Sequence, residues 1–140
     1  MFSLDSRLHN DTFFVCDLSL CRVLLMNDRQ FPWLILVPMK NDIAEIIDLT
    51  EKEQITLLKE SALASKAMMS LFSPLKLNVA ALGNVVRQLH VHHVARFDTD
   101  CAWPKPVWGN QPTVAYETSD AQARVASIRE WFEQNALSVL

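Results

Sequence analysis

The run Gln88-Leu89-His90-Val91-His92-His93-Val94 decides how this chain is read, because it sets two imidazoles two residues apart on a segment with the composition of a strand. Side chains alternate across a strand, so Gln88, His90 and His92 share one face while Leu89, Val91 and His93 share the other. Three hydrogen-bonding groups along one face call for a reason. Imidazole is the side chain best suited to nucleophilic or acid–base work near neutral pH, and a pair flanked by an amide can attack and hold a phosphoryl group. Two plainer readings stand beside this one. The stripe is also what the open face of a half-exposed antiparallel strand looks like. The least supported reading is a pair of zinc ligands, whose third partner would be Cys101, Asp98 or Asp100, since no Cys pair or His-Glu spacing supports a metal.

Working outward, Gly83-Asn84 reads as a tight hairpin turn between a strand over residues 75–82 and the histidine strand over 88–96. Before it, Ser73-Pro74 ends a long helix whose start is marked by the capping box Thr50-Glu51-Lys52-Glu53. Ile55, Leu58, Ala62 and Met69 give that helix an apolar stripe, expected to cover one face of a sheet. Trp33 to Val37 is a continuous apolar run closed by Pro38, as suits a central strand covered on both faces. Thr12 to Cys16 and Cys21 to Met26 read as a hairpin, and Asn27-Asp28-Arg29 as the turn after it. Residues 98–112, with Trp103-Pro104-Lys105-Pro106-Val107-Trp108-Gly109, read as an ordered irregular loop. Ser119, with Gln122 three residues on, is the expected cap of a final helix burying Val125, Ile128, Trp131 and Phe132 up to about Leu137. The expectation is an α+β fold: a five-stranded antiparallel sheet, a long helix after strand three and a C-terminal helix.

Composition bounds the function. A length of 140 residues fits one domain, 1–140, able to bury a core without staples. Cys16, Cys21 and Cys101 lack paired metal spacing, and nothing at the start resembles a signal peptide, which points to a reducing cytoplasm. With a net charge of −3 and scattered Lys and Arg, no footprint for nucleic acid is visible, so a small ligand is the expected partner. No apolar run approaches the ~20 residues of a membrane span. The chain has only Gly83 and Gly109, which excludes a Gly-rich phosphate loop.

The histidine run resembles the histidine-triad motif, His-φ-His-φ-His-φ-φ with φ apolar, of a superfamily of nucleotide hydrolases and transferases. Gln88 stands in the first histidine's place, His90 and His92 in the second and third, and His93 in an apolar slot. Gly83-Asn84-Val85-Val86-Arg87 resembles the family's Gly-Gln-x-Val run, and Phe31 to Pro38 its strand ending in proline. The resemblance implies the same fold, a homodimer whose sheets join, and no cofactor or metal. It implies that His90 attacks the α-phosphorus of a nucleotide and that His92 binds the α-phosphate. Gln88 and the amides near Gly83 and Asn84 would help hold it. Asn27 lies where the family often has a residue touching ribose or phosphate, Trp33 replaces a further active-site histidine, and Arg96 is a candidate anion partner. Asn41 stands where the family's Pro-x-x-His turn has histidine. Val85 stands where some members have a serine thought to protonate the leaving group, which turns the expectation toward dinucleoside polyphosphates, with adenosine phosphoramidates behind them. A nucleotide-binding regulator without turnover is the rival from another class.

Overall fold

The computed structural model describes residues 1–136. A short helix, α1 (Ser6–Asp11), leads into the hairpin β1 (Thr12–Asp17) and β2 (Cys21–Met26), followed by β3 (Trp33–Pro38). A 3₁₀ turn at Ile46–Asp48 precedes the long α2 (Glu51–Phe72), after which come β4 (Lys76–Ala81), β5 (Val91–Arg96) and α3 (Thr118–Asn135). The five strands form one sheet in the order β1-β2-β3-β5-β4, with every neighbouring pair antiparallel. The expected α+β architecture is therefore present, with α1 in addition.

Every residue of β3 and β5 is buried, because both faces of the sheet are covered. On one face Val23, Leu25, Leu34, Leu36, Val91 and Ala95 pack under α2 and α3. On the other, Leu24, Trp33, Ile35, Val37 and Val94 are covered by Leu8 of α1, Phe31, Ala102 and Val107, with no long helix above them. The continuous apolar run of β3 is the sequence mark of this two-sided burial.

Thr50 caps α2 as expected: its hydroxyl accepts from the Glu53 amide and the Glu53 carboxylate accepts from the Thr50 amide. The helix face is a correction. Leu57, Leu63, Ala64, Ala67 and Met68 meet the sheet, whereas Ile55, Leu58 and Met69 are exposed and Ala62 faces solvent with them. The buried face also carries Glu60, fully enclosed, whose carboxylate accepts from the amides of Leu20 at 3.0 Å and Cys21 at 2.8 Å. This side chain fastens α2 to the turn of the first hairpin, since buried amides without an acceptor are costly.

Three further expectations are corrected. The β4–β5 connection is a loop over residues 82–90 rather than a tight hairpin, and β5 begins at Val91, not at Gln88. Gly83 still turns the chain with φ +72°, where an added Cβ would meet the Val86 carbonyl oxygen at 3.1 Å. The last helix starts one residue before Ser119 with Glu117 at its cap, no side chain capping it; Ala121, Val125, Ile128 and Phe132 form its buried face and Trp131 is half-buried. The expected end near Leu137 lies outside the described residues.

Candidate active site

His90 and His92 come together on the sheet face away from the long helices, with ring centres 4.9 Å apart. Both are largely buried, at 6% and 8% exposure. The Nδ1–H of His90 donates to the backbone carbonyl of Gln88 at 2.7 Å. A carbonyl only accepts, so Nδ1 carries a proton, and in the neutral ring the Nε2 lone pair is left for other chemistry.

His92 is held in the opposite tautomer. Trp33 pairs with Val94 across β3 and β5, which makes its indole a diagonal neighbour of His92 on the same face. The Trp33 Nε1–H donates to His92 Nδ1 at 3.0 Å, so a neutral His92 carries its proton on Nε2. Burial, with smaller contributions from His90 and His93, pushes the His92 pKa down to about 3. His92 is thus a neutral donor through Nε2 across the physiological range. Trp108 completes the cluster, its ring 5.3 Å from His92 and 5.9 Å from Trp33 in edge contacts.

His93 lies on the other face, as alternation dictates. Its Nδ1–H donates to the Val91 carbonyl at 3.2 Å, and the Ser61 hydroxyl of α2 donates to its Nε2 at 2.7 Å. Burial pushes its pKa down to about 4. It is a packed, satisfied imidazole.

Gln88 does not join the imidazole stripe. Its Oε1 accepts from the Asp5 amide at 2.9 Å and its Nε2 donates to the Ser3 carbonyl at 2.9 Å, so the side chain faces the N-terminal segment. Only its backbone carbonyl meets His90. The reason is local: residue 88 precedes the strand, so period-two alternation does not apply to it.

Arg96 is likewise not a free anion partner. It is 1% exposed, forms an ion pair with Asp100 through Nε at 2.9 Å, and donates to Asn78 Oδ1 and the Lys105 carbonyl, both at 2.8 Å. It lies over the rings of Phe31 and Trp103 and organises the loop over residues 98–112. Asp100 is thereby committed as well, its carboxyl held low by Arg96 and three amides against the upward pull of its burial. Asn27 accepts from the Tyr116 amide at 2.9 Å through Oδ1, and the buried Asp28 accepts from the Gln30 amide and side chain, so this turn anchors the approach to α3. Trp33 acts on His92 rather than presenting a free indole N–H. Gly83 lines a recess of about 20 Å³ together with Leu89 and His90, and Asn84 is exposed on the same loop. Asn41 donates through Nδ2 to the Met1 carbonyl at 2.8 Å.

Sequence reasoning offers Trp103 and Trp108 either as the rim of a pocket or as anchors of their loop, and it missed the N-terminal segment altogether. Trp108 reaches His92 from an irregular loop with no periodicity to place it, and residues 3–5 reach Gln88 across more than eighty positions of chain. Among the described residues no group of three or more His, Cys, Asp or Glu comes together to hold a metal ion.

A meandering antiparallel sheet with two tautomer-locked imidazoles at the head of one central strand defines a histidine-triad fold. The HIT domain family model matches residues 7–99, and the chain belongs to that family of nucleotide-binding and hydrolase-type proteins. Among solved structures, a histidine triad protein from Marinobacter aquaeolei VT8 is 48% identical with a TM-score of 0.92, over 96% of this chain and 98% of that one. A histidine triad protein from Bradyrhizobium japonicum is 45% identical with a TM-score of 0.89, over 92% and 96%. One from Sinorhizobium meliloti 1021 is 43% identical at the same TM-score and coverage. Among curated proteins none matches the chain.

Proposed function

We infer that this protein is a nucleotide hydrolase or nucleotidyl transferase acting at the α-phosphate of nucleoside polyphosphates through a nucleotidyl-histidine intermediate on His90. The observation that carries the reading is the pair of opposite tautomers: an Nε2 lone pair on His90 beside an Nε2–H on His92. The Nε2 lone pair of His90 attacks the α-phosphorus, the N–P bond forms, and the bond from phosphorus to the leaving oxygen breaks with its electron pair on that oxygen. The Nδ1–H bonded to the Gln88 carbonyl stabilises the positive charge that the ring then carries. Nε2–H of His92 donates to a non-bridging oxygen as negative charge builds there. Water next attacks phosphorus, the N–P bond breaks, and the nucleoside monophosphate leaves.

Dinucleoside polyphosphates such as diadenosine tetraphosphate are the first substrate class, because their leaving group departs as a phosphate anion needing little acid assistance. Val85 supports this, since it offers no proton to an amine leaving group. Adenosine phosphoramidates are the second choice. We assign the protein to the cytoplasm, acting without a cofactor or metal.

The same reading takes a homodimer. The exposed apolar residues of α2, Ile55 and Leu58, border a groove of about 460 Å³ together with Ile46, Val79 and Val91. The groove adjoins β4, one of the two edge strands of the sheet, and an edge strand beside apolar surface is suited to a second copy.

Intact-protein mass spectrometry after brief exposure to diadenosine tetraphosphate, for wild type and His90→Ala, tests the reading. An adduct of nucleotide mass on the wild type alone, with product release, is the expected result. Tight binding with neither adduct nor product, across polyphosphates and phosphoramidates, would establish a nucleotide-binding regulator in its place.

A further inference from the structure

We propose that Gln88 is a positioning residue that ties the N-terminal segment to the head of β5 and thereby fixes the ring orientation and tautomer of His90. This rests on the nucleophilic reading of His90 but is measured separately from it.

The residue works from both ends. Its side-chain amide accepts from the Asp5 N–H and donates to the Ser3 C=O, while its backbone carbonyl takes the Nδ1–H of His90. Among neutral side chains only a carboxamide offers a donor and an acceptor side by side in one plane, matching the C=O and N–H of a chain running alongside it. An imidazole at position 88 would carry its two nitrogens on different edges of the ring and would reach only one of these groups. The glutamine that departs from the triad pattern is therefore the residue that the N-terminal segment requires.

The tether matters because the loop over residues 82–90 has little else to hold it. The Leu89 amide donates to the Ile43 carbonyl at 2.9 Å, and Arg7 Nη1 donates to the Val85 carbonyl at 2.9 Å from the same N-terminal segment. Phe2, Leu4 and Leu8 seat that segment on the second face of the sheet beside Trp33 and Trp108. The Gln88 carbonyl is thus positioned by contacts on both sides, and the ring that it orients follows.

The test uses the full chain with Gln88→Met, Gln88→Glu and Gln88→His. Nitrogen-15 NMR of the His90 ring in the ligand-free protein is followed alongside kcat and KM on diadenosine tetraphosphate. Wild type is expected to hold the Nδ1–H tautomer. Gln88→Met should mix the two tautomers and lower kcat by on the order of tenfold to a hundredfold, with KM within about twofold, the pattern of a misaligned nucleophile. Gln88→Glu, which keeps only the acceptor half, should fall between, and Gln88→His should not restore kcat. A folded Gln88→Met that keeps a single Nδ1–H tautomer and wild-type kcat would overturn the proposal. Should Gln88→Met fail to fold, Asp5→Pro is compared with Asp5→Ala: both lose the side chain that caps α1 at Arg7, and only proline, which φ of −53° accommodates, also loses the amide donor to Gln88, so the difference between them carries the same readout. A tautomer that mixes in Gln88→Met, in a protein whose wild type forms no adduct, would leave the positioning intact and sink the nucleophilic reading.

Discussion

The indole Nε1–H of Trp33 points its single hydrogen bond at Nδ1 of His92, across 3.0 Å and between two adjacent strands. A donor aimed at a ring nitrogen closes that nitrogen to protons. It makes Trp33 the residue that decides which edge of His92 can donate to a ligand.

Replacing Trp33 with Phe removes that donor and leaves a ring of similar character. The His92 pKa is expected to rise from its position near 3, and both neutral tautomers to appear, because Nδ1 is again available to a proton. Turnover should fall by on the order of tenfold, less than the full loss of an oxyanion donor, since a fraction of rings keeps Nε2–H. Nitrogen-15 titration of His92 with parallel kinetics measures both. An unmoved tautomer in the variant would mean that burial alone sets it.

The pH dependence of stability follows from two buried imidazoles. His92 and His93 have folded-state pKa values depressed to about 3 and about 4, below the ordinary histidine value of 6.5. The unfolded chain therefore binds more protons as pH falls, and the stability from keeping these rings neutral is complete above about pH 6.5 and lost as pH drops toward 4. The limiting slope is about 1.4 kcal/mol per pH unit for each ring. Urea melts from pH 7.5 to 4.5 should show it, and His93→Gln should reduce the slope by about one proton. Equal slopes in wild type and variant would contradict the assignment for His93.

Glu60 joins α2 to the first hairpin by accepting from two backbone amides. Glu60→Gln preserves shape but sets an NH₂ group against one of those N–H donors. The expected cost is about 1–3 kcal/mol by chemical denaturation, the penalty of one buried unpaired donor. A change under about 0.5 kcal/mol would mean that a single oxygen suffices for the turn.

What the sequence made legible, and what it hid, divides along physical lines. The apolar run Trp33–Val37 and the Thr50–Glu53 capping box are local signals, and both are realised in β3 and α2. His90 lies one residue before β5 and still shares a face with His92, as alternation predicts, whereas two residues further out that pattern is lost. The face of α2 was misread because apolar residues lie on both sides of it. Ile55 and Leu58 make as good a stripe as Leu57 and Met68, and only the sheet selects between them. The partners of Gln88 and Arg96, Ser3 and Asp5 in one case and Asn78, Asp100 and Lys105 in the other, are tertiary choices that no spacing announces.

The guanidinium of Arg96 leaves the loop over residues 98–112 in an unusual state of dependence. That loop carries Trp108 against His92 without a strand or helix of its own, and its curvature is copied from a side chain rooted in the sheet. Pro104, Pro106 and Asn110 lie exposed along the outside of that loop, while one buried arginine serves as keystone for the whole arch. The wall of the site is thus inherited from the register of β5, and whatever shifts that strand by a residue dismantles the wall with it.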